Sequence, residues 1–414
     1  MNNDVSVHIG DFSQELRLLL ALLEMEEGAG MTFEQWELLQ EADWHAFIEL
    51  ARHHRVFPTI HRKLQELKTP HIPLFVSGLF QRDYYRNTLQ MLALSGEMEQ
   101  LSSRFAEEGI RALFLKGPVI AADLYGDVSL RTSCDLDLLV PMDRLARTEE
   151  LLAGLGYEKD DYIDSVLNDW KWRHHHLTFH HPSKGIKVEV HWRLNPSPSK
   201  EPGFEELWSR RRVSSLISRP IFYLGREDLF LFLVSHGARH GWSRLRWLLD
   251  MKKLMNQSLD WEKLTRLLKK HHYLHIGGQA LFLAARLLAA PLREEMRPLL
   301  ASRKAEWLAE DSMFYIKRMI NLHTPPLPKD VTRYHRQYLF ALMSNRQKLL
   351  HIASFLYPYP EDAKTLPLPV KLHFLYFPLR PFLWAARKMF KKTGGADDRD
   401  PQELLGKPEE KKGA

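Results

Sequence analysis

Two aspartates one residue apart, Asp135 and Asp137, interrupt the apolar run LRTSCDLDLLVPMD over residues 130–143. In an extended chain successive side chains point to opposite faces. Asp135, Asp137 and Leu139 therefore share one face, while Leu136, Leu138 and Val140 share the other, which reads as core. Carboxylates at that spacing stand roughly 6.5–7 Å apart along a strand, a repulsive arrangement unless a cation or hydrogen-bond donors lie between them. A divalent metal meets the need; a solvated acid pair at a strand end is the plainer alternative. Downstream, IKVEVHW alternates Ile186, Val188, Val190 and Trp192 with Lys187, Glu189 and His191, which puts Glu189 on the polar face of a second strand. Two aspartates and an acid from a neighbouring strand can hold one or two Mg2+ ions, or Mn2+, which take oxygen ligands and share substrate phosphates. Such ions align an attacking hydroxyl against a nucleotide α-phosphate and neutralise the leaving pyrophosphate.

Upstream, FLKGPVIAADLYG places Lys116 and Gly117 where a strand turns into a helix. Unpaired backbone N–H groups at a helix start attract phosphate, glycine permits close approach, and lysine adds a point charge. The same Gly-Pro step also suits ordinary helix punctuation, with Pro118 in the first turn. Arg131 is a candidate phosphate ligand or a surface arginine. His174, His175, His176, His180, His181 and His191 crowd the last strands, where they either line an acceptor cleft or decorate strand surfaces; no Cys/His spacing of a structural zinc site is present. His236 and His240 share a helix face without the glutamate of a zinc-protease helix. With Arg244 they are candidate acceptor or base contacts, while Trp242 and Trp247 read as core.

The elements that must position these residues fall into blocks. Residues 1–109 read as an N-terminal helical region with apolar side chains at helical spacing. Residues 110–194 read as an α/β unit: the short run IRALFL, a helix, the aspartate strand, a second helix ending in glycines, and two strands, HLTFHH and IKVEVHWRL, joined by the turn PSKG. A Pro/Ser-rich loop over 195–203 leads to a helical domain over 204–356. A Pro-rich break and an amphipathic terminal segment occupy 357–392, and a polar tail over 393–414 reads as disordered.

Composition sets the outer bounds. The chain has 414 residues, 44% apolar and 27% charged, ordinary for folded protein of two or three domains. Its formal charge of +6 permits an anionic partner without choosing one. The lone Cys134 excludes an intramolecular disulfide and, beside Asp135, reads as a small strand residue. No secretory signal or membrane-spanning run is evident, so a soluble, cytoplasmic protein is expected. Residues 372–392 mix aromatic and basic side chains and are a candidate for weak membrane contact. No nucleic-acid motif appears.

The ordered motifs LKGP, LYGD, LRTSCDLDLLVP, GY, HHHLTFHH and VEVHWRL, followed by SHGARHGWSRLRWLLD, resemble an uncharacterised nucleotidyltransferase family of the DNA polymerase β-like nucleotidyltransferase superfamily, over about half of the chain. The resemblance implies an α/β (α+β) mixed-sheet core flanked by N-terminal helices and a C-terminal all-α domain. It implies that Asp135 and Asp137 are the metal-binding Asp-x-Asp, and Glu189 the third acid, a metal ligand or general base. Lys116 and Gly117 occupy the nucleotide-phosphate turn, where the wider superfamily has Gly-Ser or Gly-Gly; Pro118 offers neither N–H nor hydroxyl. The implied activity is Mg2+-dependent transfer of a nucleoside monophosphate from a triphosphate such as ATP to a hydroxyl or phosphate. A natural-product (lasso-type) peptide or a polysaccharide precursor is the expected acceptor. A non-catalytic nucleotide- or peptide-binding protein, and a transferase of another group such as a sugar, remain the alternatives.

Overall fold

Alternation in the aspartate segment produces the strand it predicts. The computed structural model describes residues 11–26, 30–67, 69–161, 163–324 and 326–393, so the tail expected to be disordered lies, past Thr393, outside the described residues. Seven strands form one mixed sheet: β1 (Leu113–Phe114), β2 (Asp135–Leu139), β3 (Glu158–Lys159), β4 (His176–His181), β5 (Ile186–His191), β6 (Arg212–Ser214) and β7 (Ile221–Tyr223). Their order is β3-β4-β5-β2-β1-β7-β6. β2 runs parallel to β5 with Asp135 opposite Lys187 and Asp137 opposite Glu189, and antiparallel to β1. Paired residues point to one side, so this register fixes which charges meet. On the other face Leu136, Leu138, Val188 and Val190 are fully buried.

The β4–β5 hairpin closes through PSKG as expected, with Gly185 at φ +63, a backbone region where a side chain would be strained. The sheet, however, does not stop at residue 194. β7 pairs with β1 in parallel and β6 pairs with β7, so the block expected to be all-helical from residue 204 opens with the helix Phe204–Ser209 and then adds two edge strands to the sheet. Strands of two or three residues carry too little alternation to be read from sequence, which is also why β3 escaped notice.

Helices Gln14–Glu24, Phe33–Gln40, Trp44–His53 and Phe57–Leu67 precede a 34-residue helix, Leu74–Glu107. That helix buries Phe80, Met91, Leu94, Met98, Leu101 and Phe105 along one stripe. A single cluster of buried apolar side chains reaches from Phe12 to Leu342, so the N-terminal helices, the sheet and the later helices share a core. The terminal helix Tyr376–Thr393 instead rests on a small separate cluster with Val166. No helix among the described residues is long and apolar enough to cross a membrane.

The approach to β2 is clamped from several directions. Asn87 on the long helix donates to the Ser129 carbonyl at 2.8 Å. Arg246 donates to the Thr132 carbonyl. Arg131, expected to bind phosphate, is 1% exposed and forms a two-pronged pair with Asp250, Nε to Oδ1 and Nη2 to Oδ2 both at 3.0 Å. Tyr125 donates to the same Asp250 Oδ1 at 2.8 Å. A planar guanidinium matched to a buried carboxylate holds its geometry, so Arg131 anchors the strand and does not face solvent. Asp250→Ala leaves Arg131 buried without its anion, and is expected to lower unfolding free energy by about 3–5 kcal/mol in urea titrations. A loss below about 1 kcal/mol, the range of an exposed pair, would remove Arg131 from this anchoring role.

Candidate active site

On the polar face of β2 and β5 three carboxylates meet two lysines and a histidine. Asp137 is fully buried; Lys116 Nζ lies 2.9 Å and His191 Nε2 3.2 Å from its Oδ1. Lys187 Nζ bridges Asp135 Oδ2 at 2.9 Å and Glu189 Oε1 at 2.8 Å, and Glu189 Oε2 is 3.6 Å from His191 Nε2. The repulsion that the sequence raises between the two aspartates is thus balanced within the chain: Lys116 faces one acid and Lys187 joins the other to Glu189.

Burial alone would raise the acid pKa values, yet the neighbouring cations prevail. Lys187 holds the Asp135 carboxyl below the usual carboxylate range. His176, His191, Lys187 and Lys116 hold Glu189 well below it. In return burial is overcome at Lys187 by Asp135 and Glu189, and at His191 by hydrogen bonds to Asp137 and Glu189, so both bases are pushed up.

Metal-ligating atoms of Asp137, Glu189 and His191 lie within 4.8 Å of one another. Asp137 Oδ2 is buried with no hydrogen-bond partner, a ready ligand position. Two carboxylate oxygens suit Mg2+ or Mn2+, and the added imidazole favours Mn2+ over Mg2+. Asp135 stands apart from this set, tied to Lys187. A second group, His175, His176 and His191, also has ligating atoms within 4.8 Å.

Gly117 ends the β1 turn at φ +84, with Pro118 opening the helix Pro118–Tyr125. An added Cβ would meet Leu136 Cδ2 at an ordinary 3.4 Å, so it is the positive φ that calls for glycine. This turn is what delivers Lys116 to Asp137.

His236 and His240 lie on the helix Arg226–Arg239 and its cap, each with its ring 5.5 Å from that of Trp247. Burial first, then nearby cations including Lys116, pushes both imidazoles well below their ordinary value. They belong to the surroundings of the acid cluster, while Trp242 and Trp247 are buried as expected. Arg244 does not join them. It donates to the carbonyl of His53, at the end of the helix Trp44–His53, and to Asn321 Oδ1 at 2.8 Å, so its charge caps a helix C-terminus.

Sequence reasoning passed over Lys187, although its place two residues before Glu189 put it on the same strand face. It also passed over Arg239, three residues after His236, whose Nη1 approaches His175 Nε2 at 3.4 Å. Arg55 had no local signal; its guanidinium lies 3.6 Å from Cys134 Sγ. Burial first, then the charges of Arg55, Arg244, Lys116 and Lys187, pushes the His323 imidazole below its ordinary value; of these cations, only Lys116 and Lys187 pair with the acids.

A family model described as "Uncharacterised nucleotidyltransferase" matches residues 40–289, more than half of the chain, and the chain belongs to that family. The match takes in the sheet, the acid cluster and the helix bearing His236. Among solved structures, the nucleotidyltransferase toxin MenT4 from Mycobacterium tuberculosis H37Rv is similar at 17% identity, with 71% of this chain and 97% of that one covered and a TM-score of 0.25. At that score the likeness decides nothing about fold or activity. No curated protein matches the chain.

His191 supplies a pH test. Its pKa is raised on folding, so its charged form stabilises the fold fully below the unfolded value of about 6.5, and the contribution fades as pH rises through the folded value. In urea unfolding, the stability gap between wild type and His191→Gln is expected to be widest near about pH 6 and to narrow toward about pH 9. A gap that does not change with pH would mean that His191 acts through packing and not through its charge.

Proposed function

We propose that the chain transfers a nucleoside monophosphate from a nucleoside triphosphate to a hydroxyl or phosphate on a second molecule and releases pyrophosphate. The observation that carries this reading is the register of β2 on β5, which sets buried Asp137 opposite Glu189 with one carboxylate oxygen left unpartnered. Asp137, Glu189 and His191 would hold the metal, Mg2+ or Mn2+. When bound, it supplies positive charge to the α-phosphate and the leaving pyrophosphate.

The chain's own residues divide the remaining work. With a metal held by Asp137 and Glu189, Lys116 and Lys187 would be free to offer their charge to the phosphates. Because Pro118 has no N–H, side chains carry more of the phosphate recognition than the backbone of this turn does. Glu189, held well below the usual carboxylate range, is a weak proton acceptor and is better suited to ligation than to general-base work. Neutral His236 and His240 can accept a hydrogen bond from an acceptor hydroxyl. The acceptor implied by the sequence resemblance is a natural-product peptide or a polysaccharide precursor.

A second reading, a non-catalytic nucleotide-binding protein, draws on the Lys187 bridge: Asp135 and Glu189 already have a shared counter-charge and do not require a metal. Titration with each nucleoside triphosphate, with and without Mg2+, separates the two, together with release of pyrophosphate from α-labelled triphosphate. The transferase reading expects Mg2+ to tighten binding, and Asp137→Asn to abolish that tightening and lower label transfer by at least about 10²-fold. Asn keeps the size of the buried side chain, so the fold is tested separately by its melting curve. Full Mg2+-dependent transfer by Asp137→Asn would overturn the metal assignment. Tight metal-free binding by wild type, with no pyrophosphate released, would favour the binding protein.

A further inference from the structure

Away from the acid cluster, more than half of the exposed large apolar side chains among the described residues lie from Phe340 onward. In and after the helix Asn345–Ser354, Leu349 is 68% and Leu356 71% exposed. Val370, in the turn of helix Val370–Leu375, is 80% exposed. In the helix Tyr376–Thr393, Phe382 is 73% and Trp384 54% exposed. That helix is held by Tyr376 and Leu383, which pack with Val166, and by Arg380 and Arg387, which reach Asp362 at 2.6 and 2.7 Å. Phe382 and Trp384 are exposed, while the Phe377 ring packs edge-on against Tyr357 at 5.2 Å.

Charge follows the same segment. Residues 333–389 hold nine Lys and Arg against two Asp and Glu, a net +7, which leaves the rest of the chain at −1. One of the two acids, Asp362, is fully buried beneath its arginines. The exposed cations Lys371 and Lys388 border the apolar side chains, and Lys388 Nζ sits 4.7 Å over the Trp384 ring. Apolar and aromatic side chains rimmed by lysine are the pattern of a surface that lies in a lipid interface, apolar groups below the headgroups and cations among them. A second copy of this chain would bring +7 against +7, which opposes self-association.

We propose that the face built from Asn345–Ser354, Val370–Leu375 and Tyr376–Thr393 docks on an anionic lipid bilayer without spanning it. The proposal is independent of the chemistry at Asp137. Anionic lipid draws the lysines to the surface, and insertion of Phe382 and Trp384 then holds the protein there.

The test is flotation of the full chain with phosphatidylcholine vesicles that do or do not contain phosphatidylglycerol. Wild type is expected to float with the anionic vesicles, and less so as salt rises. The exposed pair Phe382→Ser, Trp384→Ser and, separately, Lys371→Glu, Lys388→Glu should each weaken binding by at least about tenfold with melting curves unchanged. Several results would overturn the proposal. These are no binding to anionic vesicles, equal and salt-insensitive binding to neutral ones, unchanged binding by both variants, a stable dimer through this face, or binding only after removal of residues 394–414, which would make the tail the occupant.

Discussion

Everything at the polar face of the sheet follows from the need to neutralise a carboxylate taken out of water. Asp137 is fully buried, and a charge in that position is tolerated only with a close cation and hydrogen bonds. Lys116 provides the cation, and it can reach only because the chain turns at Gly117 through a backbone shape closed to other residues. The β4–β5 hairpin provides the rest: its register brings Lys187, Glu189 and His191 alongside β2 as a set, and a slip of one residue would send all three to the apolar face. Turn, hairpin and strand pairing are thus joint conditions for one electrostatic arrangement.

That arrangement leaves the face close to electrical balance before any ligand arrives. Three acids confront two lysines and a histidine whose pKa is raised. On the proposed reading, a divalent ion held by Asp137, Glu189 and His191 would compete with Lys116 and Lys187 for the carboxylates, and a triphosphate would offer those lysines new anionic partners. Binding of metal and nucleotide would then be linked in a way that it would not be at a site made of bare carboxylates. The two lysines that face the acids come from stretches far apart in the chain, brought together by the pairing of β2 with β1 and β5.

The core strands and the acids were legible in the sequence because both leave a periodic trace. Alternation marked β2, β4 and β5, a turn sequence marked the hairpin, and the same alternation put Asp135, Asp137, Glu189 and His191 on one polar face. Lys187 obeyed that alternation too, but a search for metal ligands attends to negative charge and passes over a lysine between them. Arg131 and Arg244 misled for the opposite reason: a basic residue suggests phosphate at Arg131 and an acceptor or base contact at Arg244, while only tertiary packing shows that Asp250 and the end of the helix Trp44–His53 have already engaged them. Arg55 and the short strands β3, β6 and β7 left no local pattern, since their places depend on contacts remote in sequence.

The pair of Arg131 with Asp250 has a consequence for how such a chain can diverge. The two residues lie 119 positions apart, yet each is intelligible only through the other. Losing either one alone strands a charge in the interior, whereas replacing both with apolar groups of matching shape can be neutral. The positions are thus epistatic: a drifting sequence reaches the apolar alternative only by passing through a poorly folded intermediate or by changing both together. Tyr125, which shares the same carboxylate, widens that constraint to three sites.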